Sequence, residues 1–379
     1  MIYFDNAATT YPKPDIVKRS MMLAMKKYGA NPGRSGHKMS MKAAKEVYDC
    51  RKACAKFFNA SGPECVVFTL NCTHATNIVL KGILKPGDHV VISCLEHNAV
   101  TRPINTLELK GVTCTKATVY PYDNDKTVDA FRHAFTEKTR LVVCMHASNV
   151  LGIRLPIERI CALAHQYNIL TMIDAAQTAG VLNIDMKDFG IDYLCTSGHK
   201  SLYGPMGTGL LVTEKGSQLS SLIEGGTGTD SLSPLQPSGM PEHLESGTPN
   251  MQGIVGLHAG LKFVSQMTFN RIFDHEFKLI LRAYDGLSKM PHVILYTQRP
   301  EKEYSVPLLS FNVKGMHSEE VASFLNSNGC FTRAGFHCSG LAHQFLGTLK
   351  SGTVRIAPSV FSKEDEVEFF LRLVSALGK

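Results

Sequence analysis

Short, almost continuously apolar segments recur along the first part of this chain and alternate with longer segments of helical periodicity. The apolar segments are residues 65–69, 89–93, 112–119, 141–146, 169–173, 193–196 and 209–212. A strand that is apolar on both faces is buried on both faces, which is typical of a parallel sheet between two layers of helices. The alternation therefore predicts an α/β fold with a mostly parallel central sheet flanked by helices.

Helical periodicity is clear from about residue 40 onward. Ser40 is placed to cap a helix that the turn at residues 61–63 ends. The apolar stripe of this helix is Ala43, Val47, Cys50, Cys54 and Phe57. Because its two cysteines lie on that stripe, we expect them to be core residues and not ligands.

The last third of the chain has a different pattern. Residues 225–250 are rich in Gly, Ser, Thr and Pro, and a loop of that length is more often functional than a linker. Beyond it we predict helices at 254–267, 271–287 and 363–377 and strands at 293–296 and 308–313. With 379 residues, the chain suits two domains. We expect a large domain at residues 16–255 and a smaller α+β domain formed by residues 1–15 and 256–379.

Charge and cysteine content narrow the class of protein. Lys and Arg exceed Asp and Glu by 7, 40 against 33, but the excess is scattered, which suits anionic small molecules better than nucleic acid. The N-terminus has no signal-peptide pattern and the chain has no long apolar run, so we expect a cytoplasmic protein without a membrane segment. Eleven cysteines without a C-x-x-C pair favour reduced thiols over a disulfide framework or a metal site.

Two polar side chains that follow apolar strands carry most of the chemical information. Lys200 comes just after residues 193–196 and before a glycine-rich stretch, where a buried amine can form a Schiff base. Asp174 closes an earlier strand, at the sheet edge where such folds bind ligands, and its carboxylate can hold a pyridinium N–H. Taken alone, Lys200 also fits a surface lysine and Asp174 a helix cap.

Three further motifs follow strands. Residues 71–77 place hydroxyls and backbone amides at a helix N-terminus, which suits a phosphate. His97 follows residues 89–93, where an imidazole can lie over a ring and exchange protons near neutral pH. Asn149 follows residues 141–146 and can hydrogen-bond a phenolic oxygen. An ordinary helix cap and a structural histidine are the alternatives for the first two.

Together these motifs resemble those of the class V aminotransferase family of fold-type I pyridoxal phosphate enzymes, and within it the group II cysteine desulfurases and selenocysteine lyases. The matching segments fall in the family's order over nearly the whole chain. They are residues 5–10 (Asp-Asn-Ala-Ala-Thr-Thr), His97, residues 148–152 (Ser-Asn-Val-Leu-Gly), Asp174 with Gln177, residues 197–200 (Ser-Gly-His-Lys), residues 245–250 (Glu-Ser-Gly-Thr-Pro-Asn) and residues 333–338 (Arg-Ala-Gly-Phe-His-Cys). The resemblance implies pyridoxal 5'-phosphate as the cofactor, bound by the large domain.

The resemblance also implies roles for individual residues at the cofactor. Lys200 would form the Schiff base, Asp174 would pair with the pyridine nitrogen, and His97 would stack on the ring. Gln177 and Asn149 would bond the phenolic oxygen. The phosphate would be held by Thr73, the His74 amide, Ser197, His199 and, from the neighbouring subunit of a homodimer, Thr248.

On the substrate side, the resemblance implies that Cys338 receives sulfur and that Arg355 binds the α-carboxylate. A thiol near Arg and His has a larger thiolate fraction, and a planar guanidinium pairs bidentately with a carboxylate. Glu364 or Asp365 is the alternative partner for this arginine. Other residues expected at the substrate are Asn6, Ala7, His37 and Arg333.

The segment after Cys338 departs from the family pattern. It reads Ser-Gly-Leu-Ala-His-Gln at residues 339–344, where the housekeeping group II enzymes have Ala-Gln-Pro. The cofactor site is unaffected, but the sulfur acceptor and the physiological substrate stay open.

We therefore expect a cysteine desulfurase. L-cysteine would replace Lys200 on the cofactor, Lys200 would move the Cα proton, and the Cys338 thiolate would take the sulfur as a persulfide while L-alanine leaves. Two alternatives remain. One is a selenocysteine lyase acting on L-selenocysteine, in which Cys338 matters less, and the other is an aminotransferase or β-eliminating lyase, in which Cys338 is not catalytic.

A non-enzymatic dinucleotide- or metal-binding protein fits the sequence less well. No G-x-G-x-x-G follows the first strand, and no Cys/His cluster has zinc spacing. Within the expected chemistry, a sulfur-acceptor protein is a possible partner, and no motif identifies it.

Overall fold

The structure, a computed structural model, describes residues 1–33 and 36–378. Its strands are β1 (Ile2–Tyr3), β2 (Val66–Thr69), β3 (His89–Ser93), β4 (Thr113–Ala117), β5 (Thr139–Met145), β6 (Leu170–Asp174), β7 (Tyr193–Ser197), β8 (Gly209–Val212), β9 (Val293–Leu295), β10 (Leu309–Val313), β11 (Cys330–Phe331) and β12 (Val354–Ile356).

Its α-helices are α1 (Asp15–Lys27), α2 (Lys38–Phe57), α3 (Cys72–Ile83), α4 (Asn98–Glu108), α5 (Asn124–Ala134), α6 (Ile157–Gln166), α7 (Met186–Phe189), α8 (Met251–Met267), α9 (Phe269–Leu287), α10 (Ser318–Ser327), α11 (Gly340–Leu346) and α12 (Glu364–Ala376). None of the helices in residues 1–33 and 36–378 has both the length and the apolar character that a membrane span requires.

Seven strands form the central sheet, in the order β2-β8-β7-β6-β5-β3-β4. The five strands from β7 to β4 along this order are mutually parallel, and β8 runs antiparallel to both of its neighbours. Adjacent residues of one strand enter different apolar clusters: Val91 packs with α2 and α6, whereas Val90 packs with α3 and α4. The predicted α/β class, with a mostly parallel sheet covered on both faces, is confirmed.

Two smaller sheets are built from the two ends of the chain. Strands β9, β10 and β12 form an antiparallel sheet, and β1 pairs with β11. A separate apolar cluster, which includes Phe4, Phe311 and Phe370, packs α9 and α12 against these strands. The proposed division into residues 16–255 and the remainder stays a prediction.

The helix predicted near residue 40 begins earlier than expected. His37 caps α2, because its Nδ1 accepts a hydrogen bond from the Ser40 amide at 3.2 Å. Ser40 lies inside the first turn and donates its hydroxyl to the Asn31 carbonyl at 2.8 Å. The assignment of Ser40 as the cap was wrong, because an imidazole nitrogen supplies the acceptor that a hydroxyl usually provides. Cys50 and Cys54 are buried core residues, as predicted.

The long loop at residues 225–250 is held against α2 by a partly buried ion pair. Arg51 of α2 donates from both terminal nitrogens to the Glu245 carboxylate, at 2.7 and 2.9 Å. His243 contacts the Leu219 carbonyl at 2.7 Å. A bidentate pair fixes the orientation of both side chains as well as neutralising their charges, so this loop is ordered and is not a flexible linker.

A buried acid packs against the turn that follows β7. Glu276 of α9 is buried and accepts a hydrogen bond from the Tyr203 hydroxyl at 3.3 Å. Burial raises the pKa of the Glu276 carboxyl from 4.5 to about 8. The folded protein therefore keeps a proton on this group that the unfolded chain has already lost at neutral pH.

From this shift we expect a pH-dependent stability difference. The folded state binds the extra proton between about pH 4.5 and pH 8, so the stability that Glu276 contributes falls as the pH rises through that window. In Glu276→Gln this loss is absent. Between pH 5 and pH 8, the unfolding free energy of the variant should rise relative to wild type by roughly 1–3 kcal/mol.

Urea denaturation at several pH values measures this difference. Glu137→Gln, at an exposed glutamate before β5, is the matched control and should follow wild type throughout. A variant whose stability parallels wild type from pH 5 to pH 8 would contradict the buried protonated state.

Candidate active site

A cavity of about 220 Å³ opens at the carboxyl edge of the central sheet. Strands β3, β5, β6 and β7 are parallel, so the residues after their last positions meet at this edge. Twelve of the predicted site residues line the cavity: Ala7, Thr73, His97, Asn149, Asp174, Gln177, Ser197, His199, Lys200, Arg333, Cys338 and Arg355. The fold therefore brings into one space residues that are up to 348 positions apart in the chain, from Ala7 to Arg355.

Lys200 and Asp174 share the wall of this cavity. Burial lowers the pKa of the Lys200 ammonium, and the Asp174 carboxylate opposes that shift only in part. Asp174 is 7% exposed, and its Oδ1 accepts from the Ala176 amide at 2.9 Å. An amine whose charged form is disfavoured is a better nucleophile toward an aldehyde. Lys200 is thus not a freely solvated surface lysine. Asp174 accepts a hydrogen bond from the nearby Ala176 amide and also lines the cavity.

The N-terminus of α3 supplies a polar corner to the cavity. Asn71 caps this helix, and Thr73 and Ser197 lie beside it on the cavity wall. The Ser197 hydroxyl accepts from the Cys72 amide at 3.4 Å. Hydroxyls and a helix N-terminus together form a site that suits an anion.

His199 adds an imidazole to the cavity wall. Its Nδ1 is buried, and the described residues offer that atom no hydrogen-bond partner. Burial lowers the pKa of His199 to about 4, with smaller effects from Lys200 and Lys13. The ring is therefore neutral at physiological pH, with a polar atom that a bound group can satisfy.

His97 differs from the sequence-based expectation in its protonation. It caps α4, because Nδ1 accepts from the Ala99 amide at 3.0 Å. Burial lowers the pKa of His97 to about 4, and the Asp174 charge offsets only part of that effect. The imidazole is therefore neutral at physiological pH, because a buried ring loses the hydration of its charged form, and its part in proton exchange stays a prediction. A neutral, oriented ring remains suited to stacking.

Cys338 lies on a short loop with an unusual backbone. His337 and Cys338 have φ values of 48° and 55°, so two consecutive residues with side chains adopt the left-handed conformation. Cys338 is the exposed member of the eleven cysteines, all of which are free and within the described residues. Its carbonyl accepts from the Asn98 amide at 2.8 Å, which ties the loop to the residue after His97.

Asn149 holds the other side of that loop. Its Nδ2 donates to the His337 carbonyl at 2.8 Å, and its Oδ1 accepts from the Ser339 hydroxyl at 2.7 Å. An amide nitrogen carries two hydrogens, so one is still available to a ligand in the cavity. Gln177 is anchored nearby by a bond from Nε2 to the Ala7 carbonyl at 3.2 Å.

Arg355 is 1% exposed and lines the cavity. Its Nη2 donates to Asp5 at 2.9 Å and its Nη1 donates to the Asn149 carbonyl at 2.9 Å, whereas Nε has no partner among the described residues. Glu364 was one of two alternative partners for Arg355. It pairs with Lys278 and Arg282 instead, so that alternative is wrong. Arg333 joins Arg355 through a backbone bridge.

Four predicted residues do not line this cavity. The Asn6 amide donates to the Ala357 carbonyl at 2.9 Å and so holds the N-terminal segment in place. The His74 amide donates to Asn71 Oδ1 at 2.9 Å, which satisfies the group expected to bind phosphate. His37 is occupied as the cap of α2, and Thr248 is exposed on a separate groove. Three of these four residues use the named polar groups in other hydrogen bonds, and the fourth, Thr248, is exposed.

Sequence reasoning gave no role to two residues that touch the site. The Cys72 thiol donates to Asp174 Oδ1 at 3.4 Å from within the cavity wall. Ser339 binds the Asn149 amide from the loop side. For Cys72 the signal was its place inside the helix N-terminal motif, and for Ser339 it was the departure from Ala-Gln-Pro after Cys338.

Comparison with known proteins agrees with this architecture. A probable cysteine desulfurase from Methanothermobacter thermautotrophicus is 33% identical, over 97% of this chain and 92% of that protein. One from Pyrococcus abyssi is 33% identical, over 100% and 94%. The apo structure of a cysteine desulfurase from Thermococcus onnurineus superposes with a TM-score of 0.92 at 32% identity, covering 99% of this chain and 94% of that one.

A more distant solved structure is a cysteine desulfurase from Escherichia coli, with a TM-score of 0.88 at 26% identity, covering 99% of this chain and 94% of that one. These likenesses confirm the expected fold-type I architecture. Residues 2–370 match the Aminotransferase class-V family. Because that match spans nearly the whole sequence, the chain belongs to the class V aminotransferase family.

Proposed function

We propose that this chain is a pyridoxal phosphate-dependent cysteine desulfurase that moves sulfur from L-cysteine to Cys338 and releases L-alanine. One observation carries the proposal: an exposed thiol on a tethered loop shares a cavity with a half-buried lysine, a buried aspartate and a buried arginine. The names of the relatives support the same activity.

The donor set around the cavity fits pyridoxal 5'-phosphate. The bonds described for the Asp174 carboxylate go to Oδ1, so Oδ2 can accept from a pyridinium N–H. Thr73, Ser197 and the α3 N-terminus suit the phosphate, and His199, whose Nδ1 has no hydrogen-bond partner among the described residues, lines the same cavity. His97 would lie against the ring, and Asn149 and Gln177 would bond its phenolic oxygen. When bound, the cofactor supplies an aldehyde that condenses with amines and a ring that accepts electron density.

The chain's own residues then divide the work. Arg355 binds the substrate α-carboxylate through N–H groups that Asp5 and Asn149 leave free, with Arg333 adding positive charge. Lys200 Nζ takes the Cα proton, since burial keeps a fraction of this amine neutral. Asp174 stabilises positive charge at the pyridine nitrogen and so helps to draw electrons away from Cα.

Sulfur transfer requires the thiolate of Cys338. Its Sγ attacks the substrate sulfur, an S–S bond forms, the Cβ–S bond breaks with its electron pair left on carbon, and Cβ then takes a proton. The products are L-alanine and a Cys338 persulfide, which an acceptor thiol or protein later removes.

Cys338→Ala tests the persulfide role. Alanine formation from L-cysteine should fall by roughly two orders of magnitude, because no thiolate is left to take the sulfur. Exchange of the L-alanine Cα proton with solvent deuterium should continue, since Lys200 performs it. Amino-acid analysis and NMR measure the two reactions, and mass spectrometry of the wild type should find the added sulfur on Cys338.

Cys114→Ala is the matched control for that experiment. Cys114 is a half-buried thiol on β4 away from the cavity, and its loss should leave both reactions unchanged. Full activity of Cys338→Ala on L-cysteine would refute the persulfide role. If Cys338→Ala loses alanine formation from L-cysteine but keeps the wild-type rate from L-selenocysteine, the selenocysteine lyase alternative is favoured.

A homodimer is part of the same proposal. Thr248 is exposed beside a groove of about 590 Å³ formed by α2 and the 225–250 loop, and its hydroxyl accepts from Asn31 at 3.4 Å. Half-exposed apolar side chains, among them Tyr48 and Ile223, line this groove. A second copy seated there would bury this apolar surface and present its phosphate site to Thr248.

Mixing two inactive variants tests that arrangement. Thr248→Asp should repel the phosphate of the neighbouring site, and Lys200→Ala should remove the amine of its own site. In a mixed dimer, one site has Lys200 from one chain and Thr248 from the other, so refolding the two variants together should restore up to about a quarter of wild-type activity.

Each variant alone should remain nearly inactive under the same refolding. If the mixture recovers no activity although mixed dimers form on a size-exclusion column, Thr248 does not act across the interface.

A further inference from the structure

The conformation of the Cys338 loop needs an external restraint. Two consecutive residues with side chains, His337 and Cys338, lie in the left-handed region, which is strained for residues other than glycine. Such a conformation persists only where the surroundings fix it. The loop is short, because a bond from the Ser339 amide to the Phe336 carbonyl at 2.9 Å closes the turn around these two residues.

The restraint is the side chain of Asn149. Its Nδ2 donates to the carbonyl before Cys338, and its Oδ1 accepts from the hydroxyl after it, at 2.8 and 2.7 Å. A carbonyl only accepts hydrogen bonds, so the amide nitrogen must face His337 and the amide oxygen must face Ser339. Asn149 and Ser339 are 6% and 0% exposed, so water does not compete for these bonds.

Asn149 is itself tied to the substrate side of the cavity. Its backbone carbonyl accepts from Arg355 Nη1 at 2.9 Å. One residue therefore connects the arginine expected to hold the substrate carboxylate with both sides of the nucleophile. Ser339 itself lies on the Cys338 loop. Because its hydroxyl donates to Asn149 Oδ1, it sets the orientation of the Asn149 amide.

We propose that Ser339 is a positioning residue for Cys338, an inference that rests on the proposed desulfurase function. Its hydroxyl keeps the Asn149 amide turned toward the His337 carbonyl, and this clamp holds Cys338 in its left-handed conformation with the thiol over the cavity. Without the hydroxyl, Asn149 Oδ1 loses its donor inside the protein, and the amide can leave the loop.

Ser339→Ala is the direct test. In the holoenzyme, kcat for alanine formation from L-cysteine should fall about three- to tenfold, the range expected for one buried neutral hydrogen bond. KM for L-cysteine should change little, and deuterium exchange at Cα of L-alanine should stay at the wild-type rate, because neither depends on the thiol. A merely structural defect would lower both reactions together.

Ser318→Ala is the matched control. Ser318 is also 0% exposed and also loses one hydroxyl bond, to the Ser351 carbonyl, but it lies on α10 and does not line the cavity. Both variants should lose similar thermal stability. Only Ser339→Ala should slow sulfur transfer.

Backbone hydrogen exchange gives a readout that needs no turnover. In Ser339→Ala, a peptide covering residues 334–340 should exchange at least about threefold faster than in wild type, in holoenzyme and apoenzyme alike. Unchanged exchange, or equal losses in alanine formation and alanine deuteration, would overturn the positioning role. If wild type forms no alanine from L-cysteine, the desulfurase function fails, whereas the exchange measurement still decides whether Ser339 clamps the loop.

Discussion

Asp174 ends strand β6 and Lys200 follows the adjacent parallel strand β7, so a buried carboxylate and a half-buried amine share one sheet edge. Burial favours the neutral amine, while the nearby carboxylate pulls in the other direction. The proposed pyridoxal phosphate chemistry needs both effects, because an amine that forms a Schiff base must lose its proton and a pyridine ring that withdraws electrons must keep one. The remaining wall of the cavity completes a space around these two groups.

Both ends of the chain are needed to build that wall. The N-terminal segment lies on the turn that carries Lys200, where Thr10 donates to the Lys200 carbonyl at 3.0 Å. Asp5, from the same segment, compensates the charge of Arg355, which would otherwise be buried without a counter-ion. The small sheets thus contribute an arginine and a thiol to a pocket whose lysine and aspartate belong to the large sheet.

The features that the sequence predicted well are those with a local physical cause. Strand His89–Ser93 agrees with its predicted bounds because every residue in it is buried, and Asp174 ends β6, another strand predicted from the same apolar pattern. The expectations that needed correction depend on contacts that residue type alone does not specify. Burial by surrounding groups makes His97 neutral, and α2 begins earlier than expected because the His37 imidazole caps it in place of the Ser40 hydroxyl.

The sequence by itself determined the α/β class, the positions of the central strands and the identity of the residues that end them. Apolar periodicity and the polar residues at strand ends are features of short sequence segments, so they can be recognised without the fold. It also marked Lys200, Asp174 and Cys338 through family resemblance. Only the tertiary structure decided that Asn149 holds the Cys338 loop, that Asp5 pairs with Arg355, and that the Asn6 side chain donates to the Ala357 carbonyl. Hydrogen bonds between residues far apart in the chain follow from packing, and no local pattern encodes them.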